Sequence, residues 1–213
     1  MHPQSPDSRP PVLMLSRVVP DALGSAAPAR AWQMLRRLHR FHRVDLACVV
    51  DRPVHLAHWR SLRTLTRDLC VAQPHRPSGH TRSTLAHALT DWSSDRQYAA
   101  VFCADGSLWP IARVVRAERR ACDLAVRPSA LLRDMAQQRS RWAWRRDMQR
   151  VEKLIETERE AEREADVLTI AGFDEAARLT ERRRPHFCDK SCATDVAGIV
   201  VVPPAIDLSP HVT

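Results

Sequence analysis

The chain has 213 residues, of which 44% are hydrophobic and 27% are charged, and its formal net charge is +8. A chain of this length can bury one continuous hydrophobic core without the help of a disulfide or a metal. No apolar run approaches the roughly 20 residues of a membrane span, and the N-terminus lacks the basic and apolar segments of a signal peptide. We therefore expect no transmembrane segment and a cytoplasmic location.

The positive charge says little about the partner. Only Lys153 and Lys190 are lysines, so 31 of the 33 basic residues are arginines, and asparagine is absent. This bias is typical of GC-rich coding sequences, and no stacking-aromatic motif such as that of an RRM accompanies the charge. We therefore expect no nucleic acid as partner. The remaining positive field favours anionic partners such as phosphates or a membrane surface, and it is compatible with a peripheral position at the inner membrane.

The cysteines are predicted to be reduced. Four of the six lie inside or at the end of apolar runs, where a thiol packs as a small hydrophobic group: Cys48, Cys70, Cys103 and Cys122. Cys188 and Cys192, close to His186, have Cys-x3-Cys spacing with no second pair. That spacing favours a structural role over a zinc site, so no metal site is predicted.

Short apolar runs alternate with longer amphipathic stretches along the chain. The runs are rich in valine and nearly continuous in apolar character, as strands buried on both faces require. They occupy residues 12–18, 44–50, 68–72, 99–103, 121–126, 166–171 and 197–202. Between them, helical periodicity predicts helices over residues 31–41, 53–65, 81–92, 107–118 and 129–164, the last with a break near Ser140.

This order predicts a Rossmann-like three-layer α/β domain with a mostly parallel sheet of six or seven strands and right-handed crossovers. We expect a disordered polar N-terminus over residues 1–11, one domain over residues 12–203, and a tail over residues 204–213 that leaves the domain. Residues 182–190 are predicted to form a surface loop. Ligands of such sheets bind beyond the carboxyl ends of the strands, so Asp105 and Ser107, which follow the fourth predicted strand, are candidate site residues.

Local catalytic motifs are absent from the sequence. It contains no G-x-G-x-x-G, no P-loop motif, no H-E-x-x-H, no G-x-S-x-G and no C-x-x-C, so no cofactor is predicted. After the first strand, a loop of small residues runs from Arg17 through Gly24 to Arg30 and leads into a helix. Such a loop can bring backbone N–H groups close to an anion. The alternative is a plain strand-to-helix connection, with Pro28 near the helix start.

A carboxylate lies on the apolar face of the long predicted helix. Trp144, Met148, Val151 and Ile155 form an apolar stripe, and Glu158 is its next position. A carboxylate buried there must be paired or hydrogen-bonded, because its desolvation alone costs several kcal/mol. We expect an arginine partner on a neighbouring helix, with a cleft role for Glu158 as the alternative. The remainder of residues 156–164 is predicted to form a solvated face.

Four segments resemble one protein family. The first loop keeps Arg17, Pro20, Gly24 and Arg30 of an R-x-P-x-P-x-x-G-x-x-x-R pattern, although Arg30 lies further from the glycine than in the family. Residues 142–167 contain tryptophans and arginines, then Leu-Ile-Glu-Thr-Glu, then Ala-Asp-Val. Residues 200–208 are similar to a V-x-P-N-G-V-D segment in which Pro-Ala replaces Asn-Gly.

The fourth segment departs further from the family pattern. Asp123 and Ser129 match the first and last residues of D-x-x-D-x-D-S, whereas Val126 and Pro128 replace its two later acids. Asp123 and Ser129 are therefore candidate cleft residues, and the alternative is that they form a polar strand end and a helix N-cap.

On these residues the chain resembles the N-terminal domain of glycosyltransferase family 4-like proteins, especially the exosortase-associated sugar transferases of exopolysaccharide synthesis. The resemblance implies one half of a GT-B fold, in which the first loop lies at the interdomain cleft near the transferred sugar. It also implies a carbohydrate or lipid-linked acceptor. The family's donor-binding domain follows the position of Asp207, so we expect little activity from this chain alone. A separate donor-binding domain or self-association would then complete the protein, and a non-catalytic binding or scaffold domain is the alternative.

Overall fold

The computed structural model of the chain describes residues 9–50, 54–73, 81–125, 127–137, 141–170 and 198–201. These residues form a sheet of seven parallel strands in the order β3-β2-β1-β4-β5-β6-β7. The strands are β1 (Pro11–Ser16), β2 (Arg43–Val49), β3 (Asp68–Ala72), β4 (Tyr98–Cys103), β5 (Ala117–Asp123), β6 (Val167–Ile170) and β7 (Gly198–Val201). The predicted Rossmann-like α/β fold and parallel sheet are confirmed.

Helices connect the strands. They are α1 (Ala26–Phe41), α2 (Leu56–Leu65), α3 (Thr81–Trp92), α4 (Trp109–Val114), α5 (Pro128–Gln137) and α6 (Arg141–Glu164), with a 3-10 turn at Gly106–Leu108 before α4. Among the described residues, no helix is long and apolar enough to cross a membrane. The predicted break near Ser140, the loop over residues 182–190, Cys188, Cys192, His186 and the tail after residue 203 lie outside the described residues.

One predicted helix was wrong at its end. The sequence indicated a helix over residues 107–118, but α4 ends at Val114 and β5 begins at Ala117. The guanidinium group of Arg120, on β5, donates to the carbonyls of Ala112 at 3.1 Å and Val115 at 3.2 Å. These bonds satisfy carbonyl groups that the end of a helix leaves without partners, so β5 itself terminates α4.

The helices cover both faces of the sheet. α1 and α2 pack Met34, Leu35 and Leu62 against one face. α3, α4 and α6 cover the other face, where Trp109 is fully buried. All four cysteines that were predicted to be buried thiols are free and buried, and burial raises the pKa of Cys48 to about 12.

The amino-terminal edge of the sheet is closed by a buried ion-pair network. Asp45 on β2 is fully buried and accepts hydrogen bonds from the guanidinium groups of Arg67 and Arg96 and from the Tyr98 hydroxyl at 3.0 Å. Arg96 also binds Asp68 at 2.7 Å. Burial, together with the Asp45 carboxylate, raises the pKa of Tyr98. This network lies at the end of the sheet opposite to the loops where ligands of parallel sheets bind.

Candidate functional site

The strand order places a topological switch point between β1 and β4. From β1 the chain proceeds outward to β3, and then it returns to β4 on the other side of β1. The loops after β1 and β4 therefore diverge at the carboxyl edge and leave a crevice, the usual ligand position in open parallel sheets. Arg17 follows β1 and Asp105 follows β4, so both border this crevice.

Arg17 and Asp105 form the first of three polar clusters at this edge. The Arg17 Nε atom lies 3.6 Å from the Asp105 carboxylate, and 37% of the Arg17 side chain is exposed. Asp105 also accepts hydrogen bonds from the backbone N–H of Ser107, at 2.9 Å, and from the Ser107 hydroxyl. Asp105 thus caps the 3-10 turn, while the Arg17 guanidinium remains accessible to a ligand.

Arg30 and Asp123 form the second cluster, which is closed to solvent. Arg30 on α1 donates from Nε at 2.5 Å and from Nη2 at 2.8 Å to the two carboxylate oxygens of Asp123 at the end of β5. Their side chains are only 9% and 1% exposed. The Thr169 hydroxyl on β6 donates to the same carboxylate at 2.7 Å. The pair therefore ties α1, β5 and β6 together.

Ser129 and Glu158 form the third cluster. The Ser129 backbone N–H and hydroxyl, in the first turn of α5, donate to the two Glu158 oxygens at 2.9 and 2.6 Å. Glu158 is only 2% exposed. The Glu158 carboxylate thus accepts hydrogen bonds at the N-terminal end of α5, a position at which helices otherwise bind external anions.

The structure corrects two expectations about α6. The predicted arginine partner of Glu158 is present, since Arg127 forms an ion pair with it at 3.9 Å, but Arg127 lies in the loop before α5 rather than on a helix. The hydrogen bonds to Glu158 come from Ser129, which the prediction did not include. Glu162 is also buried and pairs with Arg127 at 2.7 Å, so residues 156–164 are not wholly a solvated face. At the other end of the apolar stripe, Trp144 is 42% exposed.

Gly24 lies in a tight turn rather than in a cluster. Its N–H donates to the Asp21 carbonyl at 3.3 Å, and a Cβ atom added at Gly24 would lie 2.7 Å from the Cβ of Pro28. The close approach to the start of α1 explains the glycine without a ligand. The structure thus brings the candidate residues to one edge of the sheet, but Arg30, Asp123, Ser129 and Glu158 face each other rather than open space.

An open groove of about 580 Å³ adjoins the crevice. It lies between the β1–α1 loop, the start of α2 and α5, and its lining comprises Arg17, Val18, Val19, Asp21, Gly24, Ser25, Ala27, Pro28, Val54, His55, His58 and Leu131. A second pocket, of only about 20 Å³, shares Arg17, Val18 and Ala27 with the groove and also has Arg30 and Asp105 in its lining. The groove is therefore the part of this edge that has room for a ligand.

Sequence reasoning missed His55, His58 and Leu131. The site was expected in the segments that follow other strands. His55 and His58 lie beyond β2, in a segment that this expectation did not include. His58 is held by a 2.8 Å hydrogen bond to the Pro20 carbonyl, and its ring lies 6.0 Å from that of Trp32. Leu131 comes from α5 and is 53% exposed.

The electrostatics of the groove favour groups that are negatively charged or rich in oxygen. α1 begins there with no acidic residue in its first turn and without a side-chain hydrogen bond from its N-cap Ser25. The positive end of its dipole therefore lacks an acidic side chain within the first turn of the helix. Arg17 adds a partly exposed guanidinium group. His58, which lines the groove, can exchange hydrogen bonds with hydroxyls, and Asp105 lines the neighbouring pocket of about 20 Å³.

The fold of the chain is similar to part of several solved glycosyltransferase structures. The chain is similar to sucrose-phosphate synthase from Thermosynechococcus elongatus, with 14% identity and a TM-score of 0.55, over 92% of this chain and 48% of that one. Likenesses to a UDP-glucosyltransferase from Polygonum tinctorium (12% identity, 92% and 51% covered, TM-score 0.48) and to UGT2 from Phytolacca americana (13%, 92% and 52%, TM-score 0.49) are weaker. No protein-family model and no curated protein sequence matches the chain.

The chain has the fold of one Rossmann-like domain of a GT-B glycosyltransferase. It spans about half the length of the structures that it matches. A larger groove of about 730 Å³ lies elsewhere on the domain, between α2 and the edge strand β3. The larger groove is remote from the switch point, so the smaller groove beside Arg17 is the better candidate site.

Proposed function

We propose that this chain is the acceptor-side domain of a GT-B glycosyltransferase. In the complete enzyme, a donor-binding domain supplies a nucleotide sugar, and the hexosyl group passes to a carbohydrate or lipid-linked acceptor in the groove. The observation that carries the proposal is the open groove at the switch point of a domain that corresponds to about half of a GT-B enzyme. The motif resemblance supports a family 4-like enzyme of exopolysaccharide synthesis that acts on the cytoplasmic side of the membrane.

The chemistry of such a transfer requires stabilisation of a leaving nucleoside diphosphate. Positive charge and helix N-termini aimed at the developing charge provide this stabilisation. On the acceptor side, Arg17 and the start of α1 would supply a positive field, and His58 in the groove would exchange hydrogen bonds with acceptor hydroxyls. The donor-binding domain, on this or another chain, provides the remaining groups.

Apolar side chains beside the groove support a partner surface. Leu23 is 97% exposed in the β1–α1 loop, and Leu131 and Met135 on α5 are 53% and 48% exposed. Exposed apolar groups next to a binding cleft are typical of surfaces that another domain covers. A donor-binding domain or a second copy of the chain would bury them.

A titration followed by NMR tests the acceptor role. The probe is a short polyprenyl-diphosphate-linked monosaccharide, added to the isotopically labelled chain. We expect shifts of the backbone amides of Arg17, Gly24, His58 and Leu131. Arg17→Gln and His58→Ala should weaken binding about tenfold each, the loss that follows from one charged or well-placed hydrogen bond. Thr64→Ala, on the exposed side of α2, is the matched control. Shifts confined to the α2–β3 groove, or no shifts, would contradict the proposal.

A non-catalytic binding domain is the second candidate. The closed pairs Arg30–Asp123 and Ser129–Glu158 favour it, because they leave four of the polar residues at this edge engaged within the protein. The two candidate functions differ in whether the chain takes part in the transfer of a sugar. Purification of the chain with its native partners, followed by incubation with radiolabelled UDP- and GDP-hexoses, should label an acceptor if the chain is part of an enzyme. Acceptor binding without any labelling would favour the scaffold.

A further inference from the structure

The α1–α2 face of the domain carries an unusual charge distribution. No aspartate or glutamate occurs in residues 22–44 or in residues 54–67, the segments that contain α1 and α2. Five arginines on these helices are exposed: Arg36, Arg37, Arg40, Arg60 and Arg63. We refer to these five as the arginine face. They project away from the sheet because Met34, Leu35 and Leu62 occupy the opposite sides of the same helices.

The helices of the opposite layer carry acids as well as arginines, and some of these form ion pairs. Arg113 on α4 pairs with Glu160 and Glu164, and Arg163 on α6 pairs with Glu156. Within the described part of the chain, no ion pair is recorded for any member of the arginine face. The bias of the composition toward arginine acts on both layers alike. The difference between the layers is the absence of acids, which composition alone does not explain.

Apolar side chains accompany the unpaired charges. Phe41 at the end of α1 is 69% exposed, and Leu56 at the start of α2 is 65% exposed. α1 runs antiparallel to the strands, so these two residues mark opposite ends of the face. A broad positive surface with apolar groups at its margins fits a layer of phosphate groups above hydrocarbon, because the arginines contact the phosphates and the apolar groups enter the boundary region.

We propose that the arginine face binds the surface of an anionic phospholipid bilayer. The five charges are spread over two helices: Arg60 and Arg63 line the groove of about 730 Å³ between α2 and β3. The other three lie on α1 outside that groove, and a distribution of this width suits an extended anionic surface better than a single small anion. Phe41 and Leu56 favour a bilayer over duplex DNA, because a duplex presents stacked bases and a charged backbone, with no apolar region that these two side chains could enter. The inference is independent of the proposed function, since neither Arg17 nor the groove takes part.

Flotation of the whole chain with lipid vesicles tests this inference. One set of vesicles is phosphatidylcholine alone, and the other contains about a third phosphatidylglycerol, the regime in which each arginine near the surface strengthens binding by about fivefold. The chain should float only with the anionic vesicles, and less so as salt shortens the range of the interaction. Replacement of the five arginines of the face by glutamine should abolish flotation, and replacement by lysine should preserve it.

A matched control removes the same net charge elsewhere. Five other exposed arginines with no recorded ion pair are Arg116, Arg119, Arg133, Arg145 and Arg146. Their replacement by glutamine should leave most of the binding, and thermal melting of every variant verifies its folding. Equal loss in both glutamine variants would overturn the inference, because net charge would then suffice. So would a wild-type chain that binds duplex DNA through the arginine face but does not float with anionic vesicles.

Discussion

Arg30 and Asp123 show how a candidate site residue can instead be part of the framework. The sequence placed both residues at the ligand edge, but their charged groups are buried against each other. The Thr169 hydroxyl donates a further hydrogen bond to the Asp123 carboxylate. Removal of one partner from a buried pair leaves an uncompensated charge, whereas replacement of both by apolar groups is often tolerated. The pair can therefore be distinguished from a binding site by its effect on stability.

Arg30→Met should lower the free energy of unfolding by about 3–5 kcal/mol, because it leaves the buried Asp123 carboxylate without its charged partner. The double variant Arg30→Met with Asp123→Leu should recover a large part of that loss. Urea unfolding followed by circular dichroism measures both. An Arg30→Met variant as stable as the wild type would show that the charge of Asp123 is satisfied without Arg30.

His42, at the end of α1, predicts a pH dependence of stability. Burial lowers the pKa of its imidazole, nearby Arg9 lowers it further, and the Pro10 carbonyl opposes both. Because the folded-state pKa lies below the unfolded-state value near 6.5, the stabilisation is present above that value and is lost as the pH falls through the folded-state pKa. Urea unfolding at pH 7.5 and at pH 5 should therefore show a smaller acid-induced loss in His42→Gln than in the wild type. Identical losses in the two proteins would exclude His42 as a source of the dependence.

At the scale of elements, Glu158 joins α6 to the first turn of α5. Its two oxygens accept from the Ser129 backbone and hydroxyl, and its Cγ is the closest atom that a Cβ at Gly106 would meet, at 2.9 Å. One side chain thus fixes α5, α6 and the 3-10 turn after β4. These elements surround the crevice, so their positions determine its shape.

Glu158→Gln should destabilise the protein by about 1.5–3 kcal/mol, since it weakens hydrogen bonds to a charged acceptor in the interior. Glu152→Gln, one exposed position on the same helix, is the control and should change stability by less than about 0.5 kcal/mol. Amide hydrogen exchange should show faster exchange at the start of α5 in the Glu158 variant only. Equal effects of the two substitutions would contradict the role of Glu158 in the attachment of α5.

The strands β1, β2, β4 and β6 were predictable because each forms a short apolar run that is largely buried. β5 is the exception that explains the wrong helix end. Its first residues include Glu118 and Arg119, which are exposed, and only Cys122 and Asp123 at its end are buried. A strand with such a start lacks the apolar continuity on which its prediction depends, so the helical pattern was extended into it.

The candidate site was only partly accessible to sequence reasoning. The carboxyl edge follows from the strand order, because parallel strands end at the same side of the sheet. The partners do not follow, because Arg30 and Asp123 are 93 residues apart and Ser129 and Glu158 are 29 apart. Only the three-dimensional packing reveals which polar groups pair with each other inside the protein. It also reveals that His58 and Leu131 line the open groove.

At the scale of the whole molecule, the domain corresponds to about half of the enzymes that it resembles. Its groove lies at one edge, with Leu23 and Leu131 exposed beside it. The proposed division of the two ligands between domains assigns the acceptor to this groove and the nucleotide sugar to a second domain. The two ligand classes should therefore differ sharply in their affinity for the described domain.

Calorimetric titration of residues 1–213 tests that division most directly. The chain is titrated with the polyprenyl-linked monosaccharide and, separately, with UDP-glucose and GDP-mannose. The acceptor probe should release heat that Arg17→Gln and His58→Ala reduce, and neither nucleotide sugar should bind with micromolar affinity. Micromolar binding of a nucleotide sugar, with no heat from the acceptor probe, would contradict the assignment of this domain to the acceptor side.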